Sequence, residues 1–493
     1  MPVSAQANQN VPAGPLTLEQ VLALAEARSE TIGISRAGVQ RAEGEQMRVR
    51  SGLFPQVSAL VGYDRALASE FSGLFDSQTA GTDDSGFADL PFGRANTFRV
   101  AFTLSQNLYT GGRLRAQTAI AGAQRDAATL GVSTARGQLL FNATQAYYDA
   151  ALSDRLVRIA EATREQADAT LRQTQAGFDA GTQPEFEVVR ARVARDSQTP
   201  LVIRARVNRE VALLRLKQLL DVPQDFNLEL ADALGDERLV PPASFAASVV
   251  PLEMSLAVSD PAAASVAAPS GTAVPERRVV HEAEAAVHLR EASLQLTEAQ
   301  RKPSVVLNST YARLAYPSNL LPTFDRNNWS VGATLNVPVL TGGRQRGDEQ
   351  VARAELEQAR LQLRATEELA ELDSRAAWAE LLAARAAWEA SAGTVQQATR
   401  AYEIANVRFG AGVSTQLELS DARLLLQRAD ANRAQAARDL QVARARVALL
   451  PDLPIGASIT PGLQLVQPSL QAPPAPQPQF SVPVTSGAAG GFR

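Results

Sequence analysis

Val100-Ala101-Phe102-Thr103-Leu104-Ser105-Gln106-Asn107-Leu108-Tyr109-Thr110-Gly111-Gly112-Arg113 is the stretch on which the fold turns, because the chain contains it twice. It returns as Val331-Gly332-Ala333-Thr334-Leu335-Asn336-Val337-Pro338-Val339-Leu340-Thr341-Gly342-Gly343-Arg344. Further along, Phe178-Asp179-Ala180-Gly181-Thr182 returns as Phe409-Gly410-Ala411-Gly412-Val413. Both pairs are 231 residues apart, an offset hard to share by chance. The chain therefore holds two copies of one large unit: strand, Thr-Gly-Gly-Arg, long helix, Gly turn, helix.

Within each copy the pattern alternates before the shared motif. Val57, Ala59, Val61 and Tyr63 oppose Ser58, Leu60, Gly62 and Asp64; Phe98, Val100, Phe102 and Leu104 oppose Thr97, Arg99, Ala101 and Thr103. In the second copy Val305, Leu307, Ser309 and Tyr311 alternate with Ser304, Val306, Asn308 and Thr310. Trp329, Val331, Ala333, Leu335, Val337 and Val339 alternate with Ser330, Gly332, Thr334 and Asn336. A period of two with one apolar face predicts strands over about 56–65, 97–109, 304–314 and 329–340. Residues 66–96, rich in Gly, Ser and Asp, are expected to form a loop, as is the shorter segment carrying Pro317 and Pro322.

After each Thr-Gly-Gly-Arg comes a run without proline, predicting long helices over about 113–176 and 344–408. Each would be roughly 96 Å long at 1.5 Å per residue, more than any compact domain needs. Gly181 and Gly412 then reverse the chain. Thr182 with Glu185, and Thr415 with Glu418, read as capping boxes opening return helices over about 183–220 and 415–450. Pro200 predicts a kink or break in the first of these. A further helix is expected from Leu16 to about Arg50, ended by Phe54-Pro55, and another from near Glu276 to Lys302-Pro303.

The chain thus divides into an extension (1–15), a first repeat (16–240), an Ala/Ser/Pro-rich linker (241–275), a second repeat (276–450) and a tail (451–493) whose later part is expected to be disordered. A net charge of −4 with dispersed basic residues argues against nucleic acid. The absence of cysteine excludes disulfides, thiol nucleophiles and a lipid-modified cysteine. No apolar run is long enough for a transmembrane helix. The start lacks a basic segment followed by an apolar run, so a signal peptide is expected to be absent or already removed.

Four one-sided strands of this length suit a transmembrane β-barrel, because closure removes exposed edges. Four cannot close a channel alone, so several chains must share one barrel. Trp329, at a strand end, suits an aromatic belt or an ordinary packed position equally.

In this order and spacing the motifs resemble the TolC-like outer-membrane factor family, over about residues 16–450. They are Leu108-Tyr109-Thr110-Gly111-Gly112-Arg113, Val339-Leu340-Thr341-Gly342-Gly343-Arg344, and the tip segments around Gly181 and Gly412 that run on to Leu419-Ser420-Asp421-Ala422. The resemblance implies a mainly α fold with a transmembrane β-barrel portion. It would be a homotrimer whose twelve-stranded barrel in outer-membrane lipid continues as a periplasmic α-helical barrel. It implies a duct that takes drugs, small molecules or secreted proteins from an inner-membrane pump of RND, ABC or MFS type through a periplasmic adaptor. The two tips would dock the adaptor through Phe178, Gly181, Thr182, Phe409, Gly412 and Val413. Glu418 and Asp421, with Glu187 in the first hairpin, would line the periplasmic constriction. At Ser414 some relatives carry a basic latch residue, which this chain lacks.

Other candidates are weaker. His281 and His288 lie seven apart on one helix face, about 10.5 Å along the axis, too far to share one ion. The pairs Gly111-Gly112 and Gly342-Gly343 match neither phosphate-loop pattern, and backbone freedom at strand-to-helix junctions accounts for them. Trp378 and Trp388 are expected to pack between helices. No catalytic triad, metal cluster or cofactor motif is present, so no enzyme is expected. The alternative reading is a soluble or peripheral coiled-coil scaffold, in which one-sided strands beside each repeated motif would have no purpose.

Overall fold

The computed structural model describes residues 14–67, 96–231, 234, 277–316, 324 and 326–456. The expected loop over 66–96, the linker over 241–275, most of the N-terminal extension, the Pro317 and Pro322 segment and the tail beyond Gly456 lie essentially outside these residues.

Helix α1 (Leu18–Arg28) opens on a capping box in which Thr17 accepts from the Gln20 amide and the Gln20 side chain returns to the Thr17 amide. Helix α2 (Glu30–Ser51) follows at once, capped by Ser29, whose hydroxyl accepts from Ile32 N at 3.3 Å. The single helix expected from Leu16 to Arg50 is therefore two. Ser29 is the reason: it takes an extended conformation and restarts the helix with its own side chain. Leu16 itself forms a parallel bridge with Leu230.

Strands β1 (Gln56–Arg65) and β2 (Asn96–Tyr109) precede α3 (Arg113–Asp179) and α4 (Glu185–Leu219). The second copy begins with α5 (Arg278–Ala299) and continues through β3 (Ser304–Ala315), β4 (Arg326–Asn336), α6 (Arg344–Gly410) and α7 (Gln416–Leu449). Helices α3 and α6 each have 67 residues, roughly 100 Å at 1.5 Å per residue.

Three expectations are corrected here. Strand β4 ends at Asn336, not near 340, because its last partner is Ser304, the first residue of β3, and because Pro338 has no N–H to donate. Helix α4 continues unbroken through Pro200. The ring removes one donor toward the carbonyl four residues back, but Val188, Ala191, Val202 and Leu216 stay buried along the helix, and packing outweighs the local defect. Thr182 does not form a capping box. Pro184 occupies the cap position of α4, and the Thr182 hydroxyl instead donates to Gly177 O at 2.9 Å.

The helices form layers around α3 and α6, which run through both ends. Toward the strands the contacts run α2–α3–α5–α6; toward the Gly turns they run α4–α3–α7–α6. Where the two sets meet lies the largest core cluster. There Leu139, Tyr147, Ala150 and Ala151 of α3 meet Val21 and Leu22 of α1, Leu216, Leu220, Leu228, Leu449 and Leu453. Elsewhere the buried residues are largely Ala, which lets long helices approach closely without a thick core. Trp378 and Trp388 both pack against the α6–α7 cluster, and Arg433 lies 4.2 Å from the Trp388 ring centroid.

A buried ion network closes the second copy. Arg277 donates to Asp373 at 2.9 Å, Arg446 donates to the other Asp373 oxygen at 3.0 Å, and Arg446 also pairs with Glu380. Arg277 further donates to Leu453 O at 3.0 Å. Two guanidinium groups around one carboxylate satisfy charges that would be costly to bury singly.

Candidate functional site in the sheet and at the hairpin tips

The four strands form one antiparallel sheet in the order β1-β2-β3-β4, with β1 and β4 as its two edges. The register aligns the apolar phases of all four. Val57 faces Leu104, Ala59 faces Phe102, Val61 faces Val100 and Tyr63 faces Phe98. Phe102 faces Tyr311, which faces Trp329; Ser309 faces Val331, Leu307 faces Ala333 and Val305 faces Leu335. Opposed residues of an antiparallel pair lie on one face, so Val57, Phe102, Tyr311, Trp329, Val331 and Leu335 share a surface. Val61, Trp329, Val331 and Leu335 on it are all more than 60% exposed. The other face carries Ser58, Thr103, Thr310 and Ser330 in one row and Leu60, Ala101, Ala312 and Asn328 in the next.

Trp329 is thus not a packed core residue. It stands in a row with Phe102 and Tyr311, its indole N–H donating to Ser309 Oγ at 3.1 Å. Tyr63 and Phe98 stack further along the same face, ring centroids 4.6 Å apart. The Trp329 row lies in the middle of the sheet rather than at a strand end, because β4 already begins at Arg326.

The strand-to-helix junctions turn on left-handed glycines: Gly111 and Gly112 at φ 62° and 94°, Gly342 and Gly343 at φ 59° and 87°. Gln106 Nε2 donates to Leu53 O and Asn107 Nδ2 to Gly52 O, fastening the end of β2 to the approach to β1.

At the other end the two turns are built alike. Gly181 (φ 74°) donates to Phe178 O and Thr182 N to Gly177 O; Gly412 (φ 72°) donates to Phe409 O and Val413 N to Arg408 O. Each is a Schellman closure, in which a positive-φ glycine lets the last free carbonyls of a helix find donors. Phe178, Gly181, Thr182, Gly412 and Val413 are exposed. Phe409 is not: it is buried with Ala405, Leu419 and Ala422, so it shapes the second tip from inside.

Glu418 and Asp421 lie on the exposed side of the first turns of α7. The Glu418 carboxylate accepts from Ser414 Oγ at 2.5 Å and lies 4.0 Å from Arg408 Nη1, while its amide donates to Thr415 Oγ1 at 3.4 Å. Thr415 thus caps α7, but the carboxylate that would complete the box is held by Ser414. Glu187, in the first turn of α4, meets the second hairpin through Gln416. With the buried Gln416 amide turned so that donors face acceptors, its nitrogen donates to Glu187 Oε2 at 2.9 Å and to Glu187 O at 3.1 Å, and its oxygen accepts from Ala191 N at 3.1 Å. Glu187 therefore joins the first hairpin to the second, a role that spacing does not reveal. Farther from the tips Arg423, buried, donates to Thr170 Oγ1 at 2.7 Å and ties α7 to α3. Nearby, burial pushes the Asp430 carboxyl up from its ordinary range, against the opposing pull of Arg155 and Arg433. His281 and His288 each face a glutamate one turn on, Glu284 and Glu291.

A sheet of long strands with one exposed apolar face is thus set on helices of 67 residues that end in paired glycine turns. The family profile described as outer membrane efflux protein matches residues 21–221 and 271–451. The chain belongs to that family of outer membrane efflux proteins. Solved structures with the same fold include the CmeC outer membrane channel of Campylobacter jejuni (16% identity, 90% of this chain and 87% of that one, TM-score 0.68). The outer membrane protein VceC of Vibrio cholerae also shares it (16% identity, 88% and 96%, TM-score 0.68). So does the open state of the MtrE outer membrane channel of Neisseria gonorrhoeae (17% identity, 91% and 95%, TM-score 0.67). No curated protein sequence matches the chain.

Proposed function

We propose that three copies of the chain assemble into the channel-tunnel of a tripartite export system. Three copies bring twelve strands, four from each chain, and β4 of one pairs with β1 of the next to close a barrel without edges. The observation that carries this reading is the sheet itself: the large apolar and aromatic side chains gather mainly on one face, exposed at Val61, Trp329, Val331 and Leu335, and both edges are long and open. The outer helices add support. At the hairpin end α4 and α6 flank the layer, and both expose apolar residues, Phe186, Val189 and Val193 on α4, Ile404 and Val407 on α6. A second copy on each side would cover them.

In this assembly lipid lies against Val100, Phe102, Leu104, Val331, Ala333 and Leu335, and the polar sheet face lines the pore. The helices continue the duct through the periplasm to the hairpins, where a periplasmic adaptor docks on Phe178, Gly181, Thr182, Gly412 and Val413, with Phe409 bracing the second tip. Glu418 and Asp421 line the inner mouth, and Glu187 ties the hairpins beside it. An inner-membrane pump of RND, ABC or MFS type supplies drugs, small molecules or secreted proteins. The scaffold alternative leaves the one-sided strands without a use. Detergent-corrected light scattering tests the assembly. Three chains per particle are expected; a water-soluble monomer with no need of detergent would refute it.

A further inference from the structure

The face of the sheet opposite the apolar one carries a charge pattern of its own. From the helix end outward its rows read Gln56, Ser105, Asn308 and Gly332; then Ser58, Thr103, Thr310 and Ser330; then Leu60, Ala101, Ala312 and Asn328. None of these is charged. The next row is Gly62, Arg99, Leu314 and Arg326. Among the described strand residues of this face, Arg99 and Arg326 are the only basic ones, and Asp64, one row farther out, is the only acid. Arg99 is exposed, and the Arg326 guanidinium sits 5.8 Å from the Tyr316 ring centroid, a cation–π contact that leaves its positive charge in place.

We propose that Arg99 and Arg326 form a ring near the outer mouth of the barrel that gathers anionic groups, carboxylates or phosphates, on their way through. The ring rests on the trimeric barrel proposed above, in which this face is the lumen. Three chains then place six guanidinium groups in one narrow band, the two of each chain about 6 Å apart along the axis because the strands tilt, offset by three Asp64 carboxylates a step beyond. Geometry decides whether such a ring reaches the solute. Twelve strands about 4.8 Å apart, tilted by about 40°, close a barrel on the order of 25 Å across. An arginine reaching about 6 Å inward stands about 6 Å from the axis, inside the Debye length of about 8 Å at physiological salt. The field therefore survives at the centre of the pore. An uncharged tube ending in one basic row concentrates that field where cargo leaves, as charged rings do in anion pores. It complements the acidic inner mouth formed by Glu418 and Asp421.

The test is single-channel recording from the purified full chain in planar bilayers, with inositol hexakisphosphate added on the barrel side as the anionic probe. Arg99→Gln with Arg326→Gln is expected to raise the half-blocking concentration by about tenfold or more, the lower end of what electrostatic focusing supplies. Arg99→Lys with Arg326→Lys should retain the block. Asp64→Asn, which leaves both arginines in place, should strengthen it and provides a test even where the double glutamine variant does not assemble. Equal block in wild type, the glutamine variant and Asp64→Asn would overturn the ring while leaving the channel intact. Absence of any conductance from the wild-type protein would overturn the barrel reading, and the ring with it.

Discussion

Gly111 and Gly342 hold the same place in the two copies, yet a side chain added at each meets different surroundings. Both have positive φ, which costs an L-residue about 1–2 kcal/mol. At Gly111 a Cβ would also lie 2.6 Å from Lys302 Cβ and 3.2 Å from Ala299 O; at Gly342 nothing lies within 4 Å. The asymmetry follows from topology: β2 is an inner strand with the start of β3 against its end, whereas β4 is an edge. Gly111→Ala should therefore lower the melting temperature of the detergent-solubilised protein more than Gly342→Ala. An equal loss from both would show that the backbone term alone matters there. The doubled glycines are plain in the sequence, but the neighbour that makes one pair stricter is contributed by a residue 191 positions away. Glu187 teaches the same point. Its spacing after Gly181 suggests a pore acid, and only the packing of one hairpin on the other brings it to Gln416.

At the scale of single elements, phase is the decisive property. The period of two in each strand was sufficient to identify its apolar face, and the register then laid those faces side by side. Leu104 and Thr103 are neighbours on opposite faces of β2. An arginine on the lipid side at mid-membrane costs about 2–4 kcal/mol, so Leu104→Arg should sharply reduce assembled protein in outer-membrane fractions. Thr103→Arg should be better tolerated, and similar yields for the two would place the membrane elsewhere. The hairpin turns make a second element-scale prediction. Gly181 and Gly412 need φ near +74° and +72°, whereas proline is held near −65°. Gly181→Pro and Gly412→Pro are expected to abolish export while trimers still reach the outer membrane. Export that persists in both variants would move the adaptor contact away from the tips. The element boundaries that sequence missed, at Ser29, Pro200 and Asn336, share a cause. Each depends on what stands nearby: a capping side chain at Ser29, the end of the partner strand at Asn336, and buried packing that carries the helix past Pro200.

For the whole molecule, the chain leaves surfaces that have meaning only in an assembly: two open strand edges, an apolar sheet face and apolar residues on the outer helices. Glu418 and Asp421 belong to this scale, because one chain presents two carboxylates and a trimer up to six around one mouth. Confined like charges raise the local potential and attract cations. Glu418→Gln combined with Asp421→Asn should reduce cation selectivity and relieve block by multivalent cations in single-channel recordings. Besides the neutral Ser414 hydroxyl, Glu418 faces Arg408 Nη1 at 4.0 Å, and the guanidinium charge this change releases acts in the same direction, against cations. Unchanged selectivity and unchanged block would leave the two acids as ordinary surface charges.

The duplication, the one-sided strands, the proline-free helices and the glycine turns were each readable from residue order. Their physics is local: alternation, missing breakers and backbone freedom act over a few neighbours. The register that aligns four apolar faces, the isolation of Arg99 and Arg326 in one row, the burial of Phe409 and the Glu187–Gln416 contact were not. Each joins residues far apart in the chain, and which of many possible partners they meet is settled when the two copies pack on each other.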